Sequence, residues 1–174
     1  MKHRAALLGL MALLGGQPAG AEDAWWIGAE FKPIGLEVAG LSINVISPSW
    51  VAASEMAKLP LPPAAMEPGE RLQDHEASFE RIVDLDQNGS LERAVVGVYA
   101  SRDGATGRFL AIMPAPNPEG TLLALFETPG SAGFSVLTLD GSRLVWAPCM
   151  ECDSGCAVQM VPPPPRLECD KIDD

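Results

Sequence analysis

Hydrophobic and polar positions in this chain alternate in short bursts, not in long helical periods. From Phe79 onward, apolar runs occupy 79–83, 94–100, 108–113, 121–126, 134–139 and 144–146, each bounded by Gly, Pro, Asn or Asp. Short runs at this spacing predict successive antiparallel strands. Asp140-Gly141, between two of the runs, is a hairpin signal. Upstream, 36–46 alternates, with Leu41, Ile43 and Val45 on one face and Ser42 and Asn44 on the other, which predicts a half-buried strand. Ser47-Pro48-Ser49 then offers an N-cap, and the Ala-rich stretch behind it predicts one short helix near 49–59. Pro60, Pro62, Pro63 and Pro68 end that helix and make a stiff loop over 60–71. The expected fold class is mainly β, with α+β as the alternative: an antiparallel sheet of several short strands, one short helix, and a C-terminal tail tied by disulfides.

The N-terminus follows a different pattern. Lys2, His3 and Arg4 precede an uncharged Leu/Ala run at 5–14. Gly15, Gly16 and Pro18 break it, and Ala19-Gly20-Ala21 sets small residues before Glu22. These are the three parts of a secretory signal peptide, so 1–21 is expected to be removed and 22–174 to form a single domain of periplasmic or secreted location. The apolar run is too short for a membrane span, which needs ~20 residues. The next candidate, 34–53, is interrupted by Glu37, Asn44 and Pro48. Loss of Lys2 and Arg4 leaves 10 basic against 23 acidic residues, a net charge of −13 where the full chain carries −11. Such an excess repels nucleic acid and anionic membranes and suits a basic protein partner or a cation.

One acidic segment has metal-ligand spacing. Asp84, Asp86, Asn88, Ser90 and Glu92 place oxygen side chains at positions 1, 3, 5, 7 and 9, with Gly89 at 6. Calcium takes six to eight hard oxygen ligands, and alternate residues turned inward at a glycine bend supply most of them. The spacing resembles the first half of an EF-hand loop, but Val95 stands where that loop has its bidentate Glu. It more closely resembles the D-x-D-x-[DN]-G loop carried between β-strands in secreted proteins of the FG-GAP type. The resemblance covers nine residues and implies a calcium ion. A propeller needs several such loops and one occurs here. The competing reading is a plain acidic hairpin turn, for which Asn88-Gly89 is sufficient.

All four cysteines, Cys149, Cys152, Cys156 and Cys169, lie in the last 26 residues. In an exported chain they are read as disulfides. Three pairings exist; the nested one, Cys149–Cys169 around Cys152–Cys156, is the expectation, the outer link adding ~3 kcal/mol and the inner ~2 through loop closure. A zinc site, a redox pair, and copper(I) held with Met150 or Met160 are the alternatives. A thioredoxin fold is rejected: Glu151 and Asp153 would raise a thiol pKa at Cys152, and the βαβ context is missing. Asp153, standing where covalent haem attachment needs a histidine, excludes a c-type haem. The Pro162–Pro165 run reads as a rigid spacer leading to Cys169.

Enzyme signatures are sparse. His75, the one histidine beyond the signal segment, sits in Asp74-His75-Glu76, and there is no nucleophile elbow, P-loop, dinucleotide fingerprint or zincin motif. The leading expectation is a non-enzymatic binding module of inhibitor or immunity type. Its negative surface would steer a basic partner, and its tryptophans and Pro-rich loop would supply contact area. The alternatives are a cation-binding envelope protein and a small hydrolase using His75 or paired carboxylates.

Overall fold

Two neighbouring strands are buried on both faces, and the architecture follows from them. The computed structural model of the protein describes residues 24–150, 155–160 and 165–169; the predicted signal segment lies outside these. In chain order the strands are β1 (Glu37–Val38), β2 (Leu41–Ser42), β3 (Trp50–Glu55), β4 (Glu80–Val83), β5 (Glu92–Ser101), β6 (Thr106–Pro114), β7 (Ala124–Gly130), β8 (Val136–Asp140), β9 (Arg143–Ala147), β10 (Cys156–Gln159) and β11 (Arg166–Cys169). A single α-helical turn, α1 (Ile43–Ile46), follows β2. The central sheet has the order β3-β5-β6-β7, with β4 also on β5, beside the β3 segment. A second sheet has the order β11-β10-β9-β8, and every pairing is antiparallel.

Along β5, Ala94, Val96 and Val98 enter one core while Val95 and Tyr99 enter another. Along β6, Leu110 and Ile112 face the first core; Phe109, Ala111 and Met113 face the second. This double burial explains why these strands read as continuous apolar runs and not as strict alternation. The first core is completed by Phe134, Val136, Leu137, Leu144 and Trp146 from the second sheet and by Trp26 and Phe79. The second is closed by Val38, Leu41, Ile43, Ile46 and Trp50. The result is three layers: the β1–β2 hairpin with α1, the central sheet, and the C-terminal sheet.

The expectation of a helix over 49–59 is corrected. Residues Trp50–Glu55 form β3, followed by a 3-10 turn at Met56–Lys58. Ala-rich composition favours a helix only weakly, and the edge of β5 offers this segment a backbone ladder from Trp50↔Ser101 to Glu55↔Gly97, with a register shift between Trp50 and Ala52. Gly97 permits that approach, because a Cβ there would stand 2.3 Å from the Ser54 carbonyl oxygen and 2.5 Å from the Phe109 ring. The strand expected over 36–46 is also corrected. The chain reverses at Ala39 and Gly40, both at positive φ, and Ile43 and Ile46 are buried at a helical spacing of three while Val45 is exposed. Buried Glu55 ties this layer down: its Oε1 accepts the Ala39 N–H at 2.6 Å and the Lys58 ammonium at 2.7 Å.

Elsewhere the predicted strands stand close to their expected places. Asp140 pairs with Arg143 across a two-residue loop, as the Asp-Gly signal implies. Among the described residues no helix is long and apolar enough to cross a membrane.

Candidate functional site

The acidic segment connects β4 to β5, and Val83 pairs with Glu92 at its base. A bidentate ion pair, Arg93 Nε and Nη2 to the Glu80 carboxylate at 2.8 and 2.9 Å, braces the hairpin beneath it. The loop reverses through Gln87 and Gly89, at φ 58° and 88°. Its carboxylates order the turn. Asp84 accepts the N–H groups of Asn88 (3.1 Å) and Gly89 (2.9 Å), and Asp86 accepts the Asn88 N–H (3.1 Å) and the Asn88 side-chain amide (2.7 Å). Glu92 reaches back from β5, and its Oε2 accepts the Leu85 N–H at 2.7 Å.

Three of the five predicted ligands are thereby brought together: ligand oxygens of Asp84, Asp86 and Glu92 lie within 4.8 Å of one another. Asn88 and Ser90 are exposed, and the Asn88 Oδ1 accepts the Ser90 N–H at 2.6 Å. Glu92 is only 4% exposed. Its burial, with Asp86 and Asp84 adding like charge, raises its carboxyl pKa against the opposing pull of the Leu85 N–H. Three hard carboxylates, one of them buried and disfavoured as a lone anion, are the donor type that calcium takes, and one oxygen from each supplies three of its ligands. An ion there would relieve the repulsion that the fold imposes on Glu92.

The cysteines form a different arrangement from the nested expectation. Cys156 and Cys169 face each other across β10 and β11 and are joined by a disulfide. The strand register dictates this pairing, so Cys149–Cys169 and Cys152–Cys156 are both corrected. Cys149 is also disulfide-bonded, and Cys152 lies outside the described residues. A disulfide sulfur is not a thiolate, so the zinc and copper readings lose Cys149, Cys156 and Cys169 as donors. Met150 is buried in the first core and Met160 packs against it, which is ordinary packing.

His75 and Asp74 lie on a 3-10 turn, Leu72–His75. A ring nitrogen of His75 is 2.7 Å from the Gly69 carbonyl, and Asp74 accepts the Gly69 N–H at 2.9 Å. The His75 ring also meets Trp26 edge-on at 5.6 Å. Both side chains thus clasp the end of the Pro-rich loop.

A further feature joins two segments that the sequence marks only separately. The arm containing Trp25 and Phe31 runs beside Leu59–Pro62, and between them opens a groove of about 670 Å³. Trp25 is held in place: its Nε1 donates to the Glu70 carbonyl at 3.0 Å, and its ring meets Phe134 at 4.8 Å. Of the four tryptophans, Trp26, Trp50 and Trp146 are buried, so Trp25 alone offers its ring to such a groove. Alternation within 24–34 gives no hint of this, because the wall is built from residues far apart in the chain. Comparison with family models, curated proteins and solved structures returns no match for the chain.

Proposed function

We propose that this protein is an exported, non-enzymatic binding module of inhibitor or immunity type, acting on a basic protein partner in the periplasm or outside the cell. The observation that carries the reading is a strongly acidic chain, −13 once 1–21 is removed, that nonetheless opens an aromatic-walled apolar groove to solvent. Charge of one sign speeds encounter with an oppositely charged partner, and apolar contact then sets the lifetime of the complex. The test is retention of a basic protein from envelope extract on the immobilised domain. A complex that weakens at least tenfold between 50 and 300 mM salt is expected (about a halving of the screening length). Retention insensitive to salt, or no basic partner at all, would sink the reading.

The convergence of Asp84, Asp86 and Glu92 favours a second, compatible reading in which calcium braces the β4–β5 hairpin. Asp84, Asp86 and Glu92 would hold the ion, and its role would be structural. Each tenfold excess over Kd adds about 1.4 kcal/mol of stability, or about 2–4 °C per kcal/mol for a domain of this size. A rise of several degrees at millimolar calcium is therefore expected, absent in Asp86→Ala; no rise in the native chain would overturn the site. The raised pKa of Glu92 gives a pH signature. Without calcium, the contribution of Glu92 to stability is fully present in acid and is lost as pH rises through its folded pKa. Calcium needs the ionised form, so its affinity should fall as pH drops through the same range.

A further inference from the structure

We infer that the groove between the N-terminal arm and the Pro-rich loop is the docking surface for a short apolar segment flanked by lysine or arginine on the basic partner. The inference rests on the binding-module reading and names the surface and the chemistry that reading requires. Ile27 and Ile34 stand on the rim at 64% and 74% exposure, and the wall between them carries Phe31. Two bridges, Glu30↔Gly133 and Gly35↔Ala53, pin the arm on either side of Phe31 and Ile34, and the Ile27 N–H closes a turn on the Ala24 carbonyl at 2.8 Å. The facing wall contains Pro60 and Pro62, whose φ is locked by their rings. A surface rigid before binding loses little conformational entropy on binding.

Charge selects the occupant. A second copy of this chain carries the same −13 and is repelled, as is an anionic membrane. Glu30 and Lys32 both line the groove, so the formal charges of its lining cancel where apolar side chains would enter. The net negative charge of the chain as a whole attracts the flanking cations. A partner segment combining an apolar centre with basic ends matches both, and burying an isoleucine or leucine fully contributes about 1.5–3 kcal/mol.

The experiment uses the disulfide-bonded protein from residue 22 onward, alone and as the double variant Ile27→Ser, Ile34→Ser. Both positions are exposed, so an unchanged melting temperature is expected and is checked first. Calorimetry at 50 mM salt measures a synthetic peptide with a Leu-Pro-Leu-Leu centre and two arginines at each end. The same centre with glutamate ends, and a serine centre with arginine ends, serve as comparisons. The arginine-flanked apolar peptide should bind at least tenfold more tightly than either, and at least tenfold more weakly to the double variant. Equal binding by the variant, or equal binding of the serine-centred peptide, overturns the groove. If the variant retains a basic envelope partner at native affinity, the groove assignment falls and the binding-module reading stands. If the native chain binds the peptide through Ile27 and Ile34 but retains no basic protein, the groove stands and the inhibitor-type reading falls.

Discussion

The central sheet and the C-terminal sheet are both antiparallel, yet they are held together by different means. In the centre, β5 and β6 are paired over nine residues and sandwiched between two cores, with Val96, Val98, Leu110 and Ile112 fully buried on one side and Phe109, Ala111 and Met113 on the other. At the C-terminus, β11 is short and mostly exposed, and β10 contributes Ala157 and Val158 to burial. There a covalent link between Cys156 and Cys169 fastens the outermost pair. Where apolar area is plentiful, the hydrophobic effect orders the strands. Where it runs out, a crosslink supplies order by restricting the unfolded chain.

The comparison is broken most severely at Gly97. An added methyl group there would meet the Ser54 backbone and the Phe109 ring at once, so β3 must leave the edge of β5 or the second core must repack. Gly97→Ala should destabilise the domain by about 3 kcal/mol or more, at the upper end of overpacking costs. That corresponds to a fall of about 6–12 °C in Tm. A loss below about 1 kcal/mol in denaturant unfolding would show that the central sheet is looser than its burial implies.

The same contrast explains what was legible in the sequence. Strands β4, β5, β6, β8 and β9 announce themselves through β-branched apolar runs and turn residues, because the local signal and the buried position agree. Strand β3 does not, because Ala52 and Ala53 carry no strong preference and their state is decided by the open edge of β5. Residues 43–46 mislead because Ile43 and Ile46 are buried whereas Val45 is not, and four residues do not distinguish a period of two from one of 3.6. Strands β10 and β11 are four residues each, and they bring together two cysteines whose pairing the sequence leaves open. At the candidate site, Asp84, Asp86 and Glu92 were readable as a spaced set. The groove was not, since Trp25 and Pro60 are brought together only by tertiary packing.

The disulfide gives the finer test of the contrast. Cys156 and Cys169 are 13 residues apart, and a loop of that size contributes about 3 kcal/mol in the chain-entropy model. If the β10–β11 edge draws its order from the crosslink, the double variant Cys156→Ser, Cys169→Ser should lose that amount locally and not throughout the molecule. Amide exchange at Val158 and Leu167, which pair across β10 and β11, should accelerate by about 10²-fold, the equivalent of that free energy at 1.4 kcal/mol per decade. Amides of Val95, Val98 and Leu110 should keep their protection within a factor of about three, and Tm should fall by less than the lower bound of about 6 °C expected for Gly97→Ala. Equal loss of protection in both sheets would mean that Ala157 and Val158, although few, couple β10 into the first core strongly enough for the two sheets to open as one. In that case the crosslink stabilises the whole molecule, and the division into a centre held by burial and an edge pair held by a covalent bond is a difference of composition and not of cooperativity.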